Sequence, residues 1–295
     1  MTREIALVLS SGGARGLAHI GVIEELEQAG FKINSVAGSS MGALVGGIYA
    51  TGKLKECTEW ICSLDRKSVF SLFDFTISST GLVKGQKVLD QMQQIIPDLD
   101  IEDLQVNFCA VATDIKNQEE MVFEKGSLLE AIRASISIPG VFIPYKSDRK
   151  ILVDGGVINP LPLNHVKRSK NSLLVAVDVN APFQSHASKR KKNPELQNNH
   201  ELKLLEIIRD RSKSHKHQKN EEEQYNYYQL LSLSAQMMLQ QITRLTMNLY
   251  PPHLLIQIPM NSFGTFHFYK AKEIIETGRM AARKAIAEFS NKQLH

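Results

Sequence analysis

The chain has 295 residues, 43% of them hydrophobic and 22% charged, with a formal net charge of +4. That length allows one large α/β domain or two small ones, and the balance is that of an ordinary globular protein. No run reaches the roughly 18 apolar residues of a membrane-spanning helix, and Cys57, Cys62 and Cys109 fit neither a zinc site nor a redox pair.

The apolar run after Arg3 is short and passes into a Gly-rich turn, so Glu4–Leu9 reads as the first strand of a cytoplasmic protein and not as a signal peptide. Helical spacing follows over Leu17–Ala29, with Gly30 where a C-cap glycine belongs. Val36–Ala37 is a second short strand. Gly38–Gly42 turns the chain into a second apolar helix, which Thr51–Gly52 closes. Strand, turn, helix, repeated, predicts a parallel sheet with crossover helices.

Further strands are expected at Phe108–Thr113, Ile151–Val153 and Leu173–Val179, and a helix at Leu128–Ser135. The stretch Asp154–Pro162, with two glycines, an asparagine and two prolines, reads as a loop. Residues 183–226 change character. From 183 to 220 there are ten Lys/Arg and four Asp/Glu, a net +6, whereas the rest of the chain carries 25 basic and 27 acidic groups, a net −2. This reads as an exposed, partly mobile insertion with one short helix. A long helix at Tyr228–Leu249, a strand at Leu254–Ile258 and a helix at Lys270–Phe289 complete the chain. The helix at 228–249 carries Leu230, Leu231, Met237, Met238, Ile242, Leu245 and Leu249, a stripe expected to be core or the lining of an acyl pocket.

Three segments carry chemistry. Gly38-Ser39-Ser40-Met41-Gly42 is a G-x-S-x-G pattern between a strand and a helix, a context that exposes a serine hydroxyl on a tight turn near a helix N-terminus. Leu9-Ser10-Ser11-Gly12-Gly13-Ala14-Arg15-Gly16 also joins strand to helix. Its bare backbone suits a phosphate site or an oxyanion hole. A dinucleotide loop would want an acidic residue at the end of the second strand, and Ile33–Gly38 holds none. A P-loop would want Gly-Lys-Ser/Thr, which is absent. Asp154-Gly155-Gly156 places a carboxylate at a strand end. Alone it is an ordinary turn; with the other two motifs it gains weight.

Together and in this order, the three motifs resemble the patatin-like phospholipase family, above all its single-domain bacterial members. Similarity continues in Arg133-Ala134-Ser135, Ile138-Pro139 and Asn159-Pro160. The resemblance implies a three-layer α/β/α fold with a mostly parallel central sheet. The whole chain would then be one catalytic domain: a core over about residues 5–167, the insertion over 183–226 and a C-terminal helix-strand-helix over 228–290. It further implies a Ser–Asp dyad, with Ser40 as nucleophile and Asp154 as base, and an oxyanion hole from Gly12, Gly13, Ala14, Arg15 and Gly16. No metal or cofactor is called for. Where the family's loop begins with glycine this chain has Ser11, which would cost about 1 kcal/mol if a positive φ were needed there.

The implied substrates are phospholipids, lysophospholipids or other acyl esters. Lys189, Arg190, Lys191 and Lys192 would suit peripheral contact with an anionic membrane at its inner face. The lack of aromatic residues among them counts against nucleic acid. Two alternatives stay open: a regulatory protein that keeps the fold with little activity, and an α/β-hydrolase with a Ser-Asp-His triad. For the latter His165, His253 and His267 are the candidates; His19 reads as helix packing. Arg15 is open between fixing the loop, meeting a lipid head group, and plain solvation. The oligomeric state is not readable from the sequence.

Overall fold

In the computed structural model, residues 3–72, 83, 86–183 and 227–293 are described. The chain divides into two compact units. One comprises residues 1–183 and 236–295, the other 184–235. The run Lys189–Lys192 and the helical spacing expected near Glu201–Arg209 lie outside the described residues, as do His186, His200, His215, His217 and His295.

The first unit is built on an eight-stranded sheet in the order β5-β6-β3-β2-β1-β7-β8, with β4 on β3. The strands are β1 (Arg3–Leu9), β2 (Phe31–Ser39), β3 (Asn107–Asp114), β4 (Glu119–Phe123), β5 (Tyr145–Ser147), β6 (Lys150–Asp154), β7 (Leu173–Ala181) and β8 (Leu254–Pro259). The run from β3 through β2, β1 and β7 to β8 is parallel. The β4 and β6 pairings with β3, and β5 with β6, are antiparallel. The sequence reading found the mostly parallel sheet but not β4 and β5. One begins with two glutamates and the other has three residues, too short for a pattern to register.

The described helices are α1 (Ala18–Gln28), α2 (Met41–Ala50), α3 (Leu54–Ser63), α4 (Arg66–Leu72), α5 (Gln86–Gln93), α6 (Leu128–Ser135), α7 (Tyr227–Leu249) and α8 (Ala271–Gln293). Alternation along the strands sorts side chains to two faces. Ile5, Leu7, Leu9, Val175, Val177, Ile256 and Ile258 enter one large core with Ile20 and Ile23 of α1, Ile48 of α2, Ile132 of α6 and Ile274 of α8. Ala6, Val8, Ala37, Leu174 and Ala176 face the other way, under Leu161, Leu163 and Val166 and against Met247 of α7. That second covering is thinner, a loop and part of one helix.

The β1–β2 register slips once, so that Ile5 pairs with Ile33 but Ala6 with Ser35. The extra residue, Asn34, lets both Ile33 and Val36 enter the large core although three positions apart. The expected two-residue strand at Val36–Ala37 is therefore nine residues long, its alternation hidden by this irregularity. All strands of the parallel run end at the same edge of the sheet, where βα turns gather ligand-binding groups. Leu9, Ser39 and Ala181 close three of them there.

Candidate active site

Ser40 sits between β2 and α2 with φ 55° and ψ −121°. A non-glycine residue in this region stores about 1–3 kcal/mol of strain, which its surroundings must hold. They do so from a third element. The Ser40 amide donates to Oγ of Ser135 at 2.9 Å, and that hydroxyl donates to the Val111 carbonyl of β3 at 2.6 Å. The Ser40 carbonyl accepts from the Leu44 amide, the first bond of α2. Ser39 pairs with Val111 and is fully buried, and Gly38 and Gly42 bracket the turn.

The Ser40 hydroxyl donates to Oδ2 of Asp154. Asp154 ends β6, opposite Ala112, and is fixed by its main chain. Its amide donates to the Ser137 carbonyl at 2.9 Å, and its carbonyl accepts from Thr113 Oγ1 at 3.0 Å. Its Oδ1 accepts from the Gly156 amide at 2.7 Å, so the Asp-Gly-Gly turn caps its own carboxyl. Burial pushes the Asp154 carboxyl up to about 7, against the smaller opposing pull of the Ser40 and Gly156 donors. A carboxyl poised there can take a proton from a hydroxyl that it already holds.

The glycine turn meets both groups. A Cβ on Gly42 would lie 2.8 Å from the Ser10 carbonyl oxygen, one on Gly16 would lie 2.3 Å from Cγ of Met41, and one on Gly156 would lie 2.8 Å from Oγ of Ser11. Three separate segments of chain therefore converge. Within the turn, Ser11 donates its amide to the Pro160 carbonyl and Ala14 gives its amide to the Thr265 carbonyl. Among the described residues no main-chain acceptor takes the Gly12 or Gly13 amide. Gly13 has φ +56°, whereas Ser11 is not among the positive-φ residues, so serine there carries no backbone penalty.

Arg15 is a buried strut, not a solvated side chain. Its Nε donates to the Val179 carbonyl, Nη1 to the Phe263 carbonyl and Nη2 to Oδ1 of Asn180 at 2.9 Å. Asn180, at the end of β7, also donates from Nδ2 to the Ser11 carbonyl at 2.6 Å. Sequence reading missed Asn180 and the role of Ser135. The signal for Asn180 was a polar residue at the carboxyl end of an apolar strand; for Ser135 it was the serine of Arg133-Ala134-Ser135. His19 is fully buried and meets the Ser10 carbonyl at 2.9 Å, and burial lowers its imidazole to about 4.

The other histidines are held elsewhere. His165 pairs with Glu120, His253 Nδ1 accepts from the Leu174 amide, and His267 Nδ1 accepts from the Gly264 amide. Neither Ser40 nor Asp154 bonds a histidine among the described residues, so a Ser-Asp-His triad has no member to complete it there. Cys57, Cys62 and Cys109 are free thiols. No group of three His, Cys, Asp or Glu placed to hold a metal occurs among the described residues. A cavity of 410 Å³ is lined by Trp60, Leu64, Ser68, Ser71, Leu72, Lys87, Asp90 and Gln91. None of these is bonded to Ser40 or Asp154.

Comparison with known proteins gives a consistent picture. The family model for patatin-like phospholipase matches residues 7–167. An uncharacterized NTE family protein of Mycobacterium tuberculosis is 44% identical over 177 residues, 60% of this chain and 49% of that protein. Lysophospholipase NTE1 of Scheffersomyces stipitis is 32% identical over 183 residues, 59% of this chain and 12% of the relative. Patatin-like phospholipase domain-containing protein 6 of Mus musculus is 34% identical over 190 residues, 62% of this chain and 14% of the relative. The chain thus spans about half the length of the first relative and a small part of the others.

Proposed function

We infer that this chain, which belongs to the patatin-like phospholipase family, hydrolyses carboxylic esters of lipids through an acyl-enzyme on Ser40. In this reading the Ser40 Oγ attacks the acyl carbonyl while Asp154 Oδ2 takes its proton. The carbonyl oxygen becomes an oxyanion and meets the amides of Gly12 and Gly13, each such donor contributing about 3 kcal/mol. Asp154 then protonates the leaving alcohol. Water attacks the acyl-serine, giving its proton to Asp154, and release of the fatty acid returns the hydroxyl to Ser40. Phospholipids, lysophospholipids or simpler acyl esters would all serve; the family's name favours the first and the lysophospholipase among the relatives the second.

The observation that carries this reading is the hydrogen bond from a strained, buried serine hydroxyl to a carboxylate raised toward neutrality. Its test is direct. A fluorophosphonate probe should label the protein once, at Ser40 by peptide mass spectrometry, and Ser40→Ala should remove the label. Labelling at another serine, or none in a folded sample, would overturn it.

Asn180 acts in this scheme as a positioning residue. In a trans peptide the carbonyl and the amide hydrogen point opposite ways. With the Ser11 carbonyl held by Asn180 Nδ2, the Gly12 amide must point away from Asn180, a direction we assign to the oxyanion. Asn180→Ala should lower kcat by about 10- to 100-fold with KM little changed, because the donor is lost mainly in the transition state. A variant that loses only thermal stability, with kcat intact at low temperature, would reduce Asn180 to a fold residue.

A further inference from the structure

The sequence leads one to expect the apolar stripe of α7 in a core or a pocket. It is neither. Met237 is 70% exposed, Met238 61%, Leu245 51% and Leu249 75%. At 100° per residue these four fall within an arc of about 120°. The opposite side of the same stretch is anchored: Thr243 is buried, Met247 packs in the second core cluster, and Gln240 donates to the Asn180 carbonyl at 3.1 Å. The stripe is therefore presented outward by a fixed helix and not by a frayed one.

We propose that this face of α7 docks the protein on a phospholipid bilayer, through a helix that is tied on its other side to the glycine turn. The inference rests on the lipid-ester reading above. Three observations select a bilayer as the occupant. First, residues 227–250 contain no Asp or Glu and a single basic group, Arg244, an unusual poverty of charge for an exposed helix. Second, the apolar side chains exposed on this arc are Met237, Met238, Leu245 and Leu249, unbranched or γ-branched and flexible, which adapt to fluid acyl chains, with Gln241 and Asn248 as the polar residues among them. The arc offers no Trp, and its one Arg, Arg244, lies at the edge, whereas Trp and Arg anchors dominate tight protein interfaces. Third, the opposite side of this helix is tied through Gln240 to Asn180, which in turn holds Ser11 and Arg15, so the stripe belongs to an element fixed to the glycine turn. The preceding residues 183–226 hold ten Lys/Arg and seven Asp/Glu, a net +3 of the sign that an anionic leaflet attracts. No helix among the described residues is long and apolar enough to cross a membrane, so contact of this kind is interfacial.

Cosedimentation of the full chain with phosphatidylcholine–phosphatidylglycerol vesicles at high salt tests the proposal. The wild type should bind, and the double variant Met237→Glu, Leu245→Glu should bind about 30-fold more weakly, or less still. Met237→Ser with Leu245→Ser, which removes apolar surface without adding charge, should move in the same direction. Circular dichroism checks that each variant is folded. Equal vesicle binding by wild type and both variants would overturn the proposal, as would a wild type that ignores vesicles. A wild type dimeric by light scattering, made monomeric by these changes without vesicle binding, would assign the stripe to a second copy of this chain. Turnover of a water-soluble short-chain ester by the wild type reports separately on the catalytic reading. Docking without turnover would sink that reading and leave the membrane contact standing.

Discussion

Asp154→Asn should abolish ester turnover, by about 10³- to 10⁴-fold, and at the same time make the protein more stable above neutral pH. Both effects come from one cause. Burial raises the Asp154 carboxyl from 3.8 to about 7. A carboxyl with a raised folded-state value favours folding in its protonated form. Its contribution is complete below about pH 4, where the unfolded chain is also protonated, and is lost as pH rises through about 7. The gap amounts to about 4 kcal/mol at most, using 1.36 kcal/mol per pH unit. Asparagine keeps an oxygen for the Gly156 amide and does not ionise, so the two stability curves should coincide in acid and separate between about pH 4 and 7. Urea unfolding at several pH values measures this. For the wild type, kcat/KM should climb with pH through about 7 as the base becomes ionised. If the variant proved less stable than wild type at about pH 8, or turnover fell with rising pH through neutrality, the assignment of Asp154 as a buried base would fail.

The parts of this molecule that were legible in sequence are those whose determinants are local. The Leu128–Ser135 helix has a serine cap at Ser127 and an apolar spacing of its own, and it forms over those residues. The turn at Ser40 was readable because a strand, small residues and an apolar helix are consecutive. Partners at long range were not readable. Arg15 meets Val179, Asn180 and Phe263, so a sequence offers no reason to choose among loop, lipid and solvent for its guanidinium. The α7 stripe failed for the opposite reason. Helical periodicity records that one face is apolar, but not what covers that face. Strand β2 failed by one residue, since the slip at Asn34 breaks the alternation on which a strand is recognised.

The second large effect is predicted where no side chain exists. Gly42 lies in the first turn of α2, just after Ser40, and a Cβ there would stand 2.2 Å from the Leu9 carbonyl oxygen and 2.6 Å from its carbon. These are backbone atoms of a buried central strand, hydrogen-bonded on both sides, and nothing flexible can yield. Gly42→Ala must therefore push α2 off β1, at a cost of about 3 kcal/mol, and drag the Ser40 hydroxyl with it. A displacement near 1 Å at a reacting group lowers turnover by about 100-fold. Gly47, on the same helix, is the internal control. A Cβ there meets the ends of Ile132 and Leu128 side chains at 3.0 and 3.1 Å, contacts that rotamer adjustment can absorb. Replacing a helical glycine by alanine also recovers about 0.5–1 kcal/mol of backbone entropy, so Gly47→Ala should be close to neutral. Calorimetry on the pair separates helix propensity from close approach. If both variants melted together, the turn's glycines would be explained by chain flexibility alone, and Gly42 would not be what fixes the distance between the serine turn and the first strand.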